Sequence, residues 1–226
     1  MLGMVATVVA AIEEPFLDVA IDAVAGDTIV WKALLSAFIL AAVTEELMKY
    51  WILQRYCTRQ SAFDEPMDGM VYGAVASLGF AALENVLYVV GGGWGVAALR
   101  AVLSVPGHVS YGAIMGYYVG QARFTPGWPH SARRGLWFAI LLHGLFDFPL
   151  LANRAWKEQA GGADADAVTA VLILAGAFSA IAVNIVAITW ALRLLGRCRR
   201  DQQQLAAVPS EPASGAGRTV QKLERR

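Results

Sequence analysis

Long apolar blocks separated by short polar breaks run along this chain, and their lengths set the architecture. Five blocks read as membrane spans, at about residues 29–54, 68–91, 96–122, 134–152 and 167–195. Each approaches the roughly 20 residues that a helix needs to cross a bilayer. A sixth block, about 2–24, opens apolar but then carries Glu13, Glu14, Pro15, Asp18 and Asp22. Glu14, Asp18 and Asp22 recur at i, i+4 and i+8 and share one helical face. That block either turns its acidic stripe inward or lies at the membrane interface, because acids facing lipid are costly. From Gly196 the chain becomes polar, with Gln, Ser, Gly and Pro, and residues 196–226 are expected to form a disordered cytoplasmic tail. The expected fold class is all-α, a polytopic helical membrane protein with five to six transmembrane helices.

The blocks differ in texture. Residues 68–91 contain Gly69, Gly73, Ala74, Ala76, Ser77, Gly79, Ala81 and Ala82, small side chains that let helices approach closely in a membrane. The block ends in Gly91-Gly92-Gly93, and the next is expected to be interrupted at Pro106-Gly107, just before His108. The last block has no ionisable residue between Val168 and Leu192 and reads as a plain structural span. If the spans alternate, Arg55, Arg59, Arg123, Arg133, Arg134, Arg193, Arg197, Arg199 and Arg200 fall on one side. Lys32, Arg100, Arg154 and Lys157 fall on the other. Nine basic residues against four predict a cytoplasmic C-terminus.

Composition adds exclusions. Hydrophobic residues make up 57% of the 226 residues and the formal net charge is +0, so nothing points to nucleic acid as a partner. Cys57 and Cys198 form neither a CxxC pair nor a metal-ligand cluster, and no disulfide is expected between them. No Lys or Arg precedes Lys32, so the basic stretch of a cleavable signal peptide is lacking.

Charge placed where the solvent is lipid is the sharpest signal. Glu45, Glu46 and Lys49 sit deep in the second block, and each costs at least about 2.5 kcal/mol at the centre of a spanning helix. Lys49 is i+4 from Glu45 and i+3 from Glu46, so it can pair with either. One lysine cannot neutralise two glutamates, and the second carboxylate needs a proton, a metal or another partner. The third block adds Glu84 and Asn85, the fourth His108, and the fifth His143 and Asp147 at i, i+4. An Asp one turn from a His orients the ring. Four helices that each bring acid, amide or imidazole are most cheaply arranged around one polar cavity within the membrane.

These residues resemble the signatures of a known family. Glu45-Glu46-Leu47-Met48-Lys49 is similar to the EExxK motif of the PrsW intramembrane proteases. Asp68-Gly69-Met70-Val71-Tyr72-Gly73, followed by Gly79-Phe80-Ala81-Ala82-Leu83-Glu84-Asn85, resembles that family's second signature. His108 to Gly112 resembles its HxxxG element, and His143 to Asp147 its HxxxD element. The resemblance covers about residues 40–150 and extends to the wider superfamily of CAAX-processing prenyl endopeptidases. It implies a helical transmembrane protease domain over residues 1–195, located in the cell membrane as a multi-pass protein. It implies hydrolysis of a peptide bond in or near the membrane segment of a membrane-anchored protein, with an anti-sigma factor as one substrate class.

Under that reading Glu45 or Glu46 activates a water, and His108 and His143 stabilise the oxyanion or protonate the leaving amine. Lys49, Phe80, Glu84, Asn85 and Asp147 support them. No cofactor is needed if the glutamate acts alone, as the related prenyl endopeptidases suggest. If zinc takes part, its ligands would be His108, His143 and one of Glu45, Glu46 and Glu84. The same buried charges would also suit a proton- or ion-coupled transporter, or a non-catalytic scaffold that binds a partner helix.

Overall fold

A computed structural model describes residues 3, 7–8, 19–26, 28–128, 130–159 and 167–207. Among these every regular element is helical. Helix α1 (Ile29–Leu35) runs into a π-helical stretch, Ser36–Val43, and then into α2 (Thr44–Arg55). Thr44 Oγ1 donates to the Ile39 carbonyl, five residues back, at 3.2 Å. The π stretch ends two residues before Glu45, in keeping with the habit of widened turns to sit beside functional residues. Of the acidic stripe expected near the N-terminus, Glu14 and Asp18 lie outside the described residues, as does the neighbouring Glu13, whereas Asp22 pairs with Lys32 at 2.7 Å.

Helix α3 (Pro66–Phe124) is a hairpin of two limbs. Pro66 opens it, and the Asp68 carboxylate accepts the backbone N–H of Glu65 at 2.9 Å, closing a capping box. The limbs part at Gly93, whose φ of 75° and ψ of 179° leave the helical region. A residue with a side chain is strained there. The expected interruption at Pro106-Gly107 does not occur, and helix continues through both. The turn that Pro106 weakens is held from outside instead: Asn184 Nδ2 donates to the Leu103 carbonyl at 2.6 Å.

The small residues of the first limb meet small residues of the second. A Cβ added at Gly116 would lie 1.9 Å from the Gly69 carbonyl oxygen, and one at Gly73 would lie 2.2 Å from that of Gly112. The limbs therefore touch backbone to backbone, and this contact sets Glu84 opposite His108. Gly116→Ala should lower stability by about 3 kcal/mol through overpacking, read as a fall in apparent melting temperature in detergent. Gly95→Ala, where a Cβ meets nothing within 4 Å, should leave it unchanged.

Helices α4 (Ser131–Gln159) and α5 (Ala167–Ala207) complete the bundle. α5 continues past residue 195, where the apolar pattern ends, so the first part of the expected disordered tail is helical; 208–226 lie outside the described residues. Among the described residues three helices are long and apolar enough to cross a membrane: Pro66–Val90, Ser131–Lys157 and Ala167–Gln203. The molecule is also inverted in polarity. Val75, Val102, Trp137, Phe178 and Ile185 are exposed, while Glu46, Lys49, His108 and His143 are no more than 3% exposed. Water would penalise both arrangements, and lipid favours the first. The fold is that of an all-α membrane protein.

Candidate active site

The interior charges come from α2, both limbs of α3 and α4. Gly144 lets α4 approach the π stretch, since a Cβ there would meet Phe38 at 2.4 Å. This brings His143, the preceding residue, against Glu46. One carboxylate or imidazole ligand atom from each of Glu45, Glu46, His108 and His143 lies within 4.8 Å of the others, and all four residues are buried.

Lys49 sits in the middle. Its Nζ donates to Glu46 Oε1 at 2.7 Å and to Glu45 Oε2 at 3.1 Å, and lies 3.0 Å from His108 Nδ1. It also stands 4.2 Å above the centre of the Phe80 ring, a cation–π contact that stabilises a charge held away from water. Because an ammonium only donates, His108 Nδ1 must be the acceptor there, which puts the ring hydrogen on Nε2. That nitrogen lies 3.2 Å from Glu84 Oε2.

His143 is placed in the same manner. Its Nδ1 is 3.0 Å from Glu46 Oε1 and its Nε2 is 3.1 Å from Asp147 Oδ2. Each histidine therefore turns one nitrogen to the centre and the other to a carboxylate behind it. The rings meet edge-on at 4.8 Å. Carboxylate-backed imidazoles of this kind have fixed tautomers and orientations. Glu84 thus stands behind His108, apart from the four groups that face one another, and Asn85 follows it on α3, half-buried.

Three further residues belong to this network, and sequence reasoning overlooked them. Arg100 Nη2 reaches Glu84 Oε1 at 2.5 Å, with its guanidinium 3.7 Å from the Tyr88 ring centre. It thereby ties the two limbs of α3 across the Gly93 break. The Tyr111 ring stacks 5.7 Å from His143, and its hydroxyl donates to Asn184 Oδ1 at 3.1 Å. Arg100 had counted only as a topology charge. Asn184 is the one amide in the last apolar block, and that was the available signal. Because Arg100 holds the acid that orients His108, Arg100→Met should lower turnover by about tenfold, with partial recovery in Arg100→Lys, checked in the cleavage assay described below.

Buried oxygens without a hydrogen-bond partner among the described residues include Glu84 Oε2, behind His108, and Glu46 Oε2, which belongs to the four facing groups. Glu46 Oε2 accepts no hydrogen bond from the described residues, a position that costs about 1–3 kcal/mol unless another donor or a cation takes it. The four facing groups also fit a divalent metal chemically, with two imidazole nitrogens, carboxylate oxygens and an oriented outer shell.

A profile described as "PrsW family intramembrane metalloprotease" matches residues 1–178. The chain belongs to the PrsW family. The PrsW match includes the N-terminal block, which the motif resemblance had left out. The chain is 40% identical over 141 residues to Protease PrsW of Geobacillus kaustophilus, covering 61% of each. It is 42% identical over 126 residues to Protease PrsW of Bacillus subtilis, covering 53% of this chain and 56% of that one. For Protease PrsW of Clostridioides difficile the identity is 36% over 128 residues, covering 53% of each. The chain thus spans less than two thirds of the length of these relatives. No solved structure matches it.

Proposed function

We propose that this chain is an intramembrane protease, a multi-pass protein of the cell membrane with a cytoplasmic C-terminus. It hydrolyses a peptide bond in or near the membrane segment of a membrane-anchored protein. Family resemblance makes an anti-sigma factor the first substrate class to try. The observation that carries the reading is Glu46 Oε2, an unpartnered carboxylate oxygen buried among a second glutamate and two carboxylate-backed histidines. Such an oxygen is suited to take a proton from water.

In the proposed sequence Glu46 accepts a proton from a water as its oxygen bonds to the scissile carbonyl carbon. The carbonyl π electrons move to oxygen, and His143, carrying a hydrogen on each nitrogen between Asp147 and Glu46, keeps Nε2–H on Asp147 and donates Nδ1–H to the developing oxyanion. When the carbon–nitrogen bond breaks, the proton held by Glu46 passes to the leaving amine. Lys49 keeps Glu46 and Glu45 together before the reaction. If a metal binds, His108, His143 and one of the two glutamates would hold it, and it would supply Lewis-acid polarisation of the carbonyl or the water.

The test co-expresses tagged single-span membrane proteins, an anti-sigma factor among them, with wild type, Glu45→Gln, Glu46→Gln or His143→Ala. A cleavage product seen only with wild type, while all variants insert, is the expected result. Product that persists in Glu46→Gln, or absence of product with wild type across the substrate panel, overturns the reading. Metal content and chelator sensitivity of the purified protein then separate the metal-dependent scheme from the metal-free one.

A further inference from the structure

A second polar cleft lies away from the buried cluster, where the helices emerge at the end carrying most of the basic residues. Its volume is about 440 Å³, within the range of about 300–1,000 Å³ common for small-molecule sites. α2 contributes Tyr50 and Gln54, the turn after it contributes Thr58, the end of α3 contributes Arg123, the turn before α4 contributes His130, and the start of α4 contributes Arg133. Arg123 Nη1 donates to the Thr58 carbonyl, and its guanidinium lies 5.5 Å from the ring centres of Phe63 and Phe124. These contacts hold its fork at the wall of the cleft. Arg133 Nη2 donates to His130 Nδ1 at 3.1 Å, so the His130 ring hydrogen sits on Nε2, where it can donate.

No Asp or Glu lines the cleft. Neither guanidinium is paired with a carboxylate among the described residues. Two cations therefore share a small space with neutral hydrogen-bonding groups and no counter-charge. An anion with several acceptor oxygens removes that repulsion, and an arginine fork matches the tetrahedral oxygens of a phosphate. The level of the cleft narrows the source. Ser131 opens an apolar candidate span, and the exposed Trp128 stands just before it, as an interfacial anchor does. At that depth the phosphate at hand is the headgroup of a membrane lipid, and basic pockets between helices on the cytoplasmic side are suited to it.

We propose that the cleft formed by Tyr50, Gln54, Thr58, Arg123, His130 and Arg133 binds the phosphate of an anionic phospholipid headgroup. The site is separate from the chemistry of cleavage, and its occupancy is measurable without a protease substrate. Tyr50 directly follows Lys49 in α2, so a lipid seated there lies next to the element that carries the two glutamates.

The test uses the full chain, purified in detergent and stripped of lipid, with native mass spectrometry after adding phosphatidylglycerol or phosphatidylcholine. Wild type should retain phosphatidylglycerol in preference to phosphatidylcholine. Arg133→Gln should lower phosphatidylglycerol retention by about fivefold, as loss of one basic contact near the membrane surface implies. Arg123→Lys keeps the charge but removes the fork, and should also weaken retention. Arg134→Gln, a basic neighbour outside the cleft, should leave retention as in wild type. All of these positions are exposed, and a size-exclusion profile checks that each variant folds. Equal retention of the two lipids overturns the proposal, as does an equal loss in Arg134→Gln and Arg133→Gln. Displacement of phosphatidylglycerol by millimolar inorganic phosphate would make this a free-anion site and overturn the lipid assignment.

Discussion

Glu46→Gln is expected to give a protein that inserts and folds as wild type but cleaves its substrate about a thousandfold more slowly, the scale of a lost general base. The side chain is fully buried, and its Oε1 accepts from Lys49 at 2.7 Å and faces His143 Nδ1 at 3.0 Å. A glutamine amide keeps that acceptor and places its NH₂ where Oε2 stands, an atom with no protein partner to lose. Packing and most of the local hydrogen bonding therefore survive, while the oxygen that could take a proton from water does not. Two measurements check this: cleavage rate in proteoliposomes, and apparent melting temperature in detergent. A variant that retains more than about a tenth of the wild-type rate would show that Glu46 is not the base. A large fall in melting temperature would show instead that the carboxylate is needed for folding.

Most of this site could be read from the chain because lipid makes buried charge conspicuous. In a water-soluble protein Glu45, Glu46 and Lys49 would pass as an ordinary surface triplet. In an apolar block they demand partners, and the remaining apolar blocks hold few candidates. The i, i+4 spacing of His143 and Asp147 was enough to predict their contact, which is 3.1 Å. The small residues at Gly69 and Gly73 predicted a close crossing.

What the chain did not disclose depends on tertiary geometry. Nothing local says that Arg100 bends back across Gly93 to reach Glu84, because that contact needs the hairpin to be closed. Pro106 read as a break, yet the helix continues there, and Asn184, from a helix about 80 residues away in sequence, donates to the nearby Leu103 carbonyl. The end of α5 was set too early. The apolar pattern stops near residue 195, but a helix can continue beyond the membrane with charged residues such as Arg197, Arg199 and Arg200 facing water.

Lys49→Met should have the largest effect on stability and should alter how the protein responds to metal. The ammonium touches both glutamates and His108, and it is 2% exposed. Removing one member of a buried ion cluster costs about 3–5 kcal/mol, because the remaining charges lose their partner in a medium that cannot solvate them. For a domain of this size that corresponds to a fall on the order of 10 °C in apparent melting temperature. Methionine fills similar space, so the loss is electrostatic rather than a cavity effect. The position that Nζ holds in wild type, among carboxylate oxygens and an imidazole nitrogen, is also where a divalent cation would find its ligands. Lys49 and a metal would then compete for one set of donors. Zinc added to chelator-treated Lys49→Met should raise its melting temperature by several degrees more than it raises that of wild type, because binding to the folded state adds stability by mass action. Bound zinc per chain, measured after dialysis, should rise in parallel. Equal zinc responses in the two proteins would mean that the lysine and the metal do not share a place. A Lys49→Met protein as stable as wild type without metal would mean that the two glutamates do not need its charge.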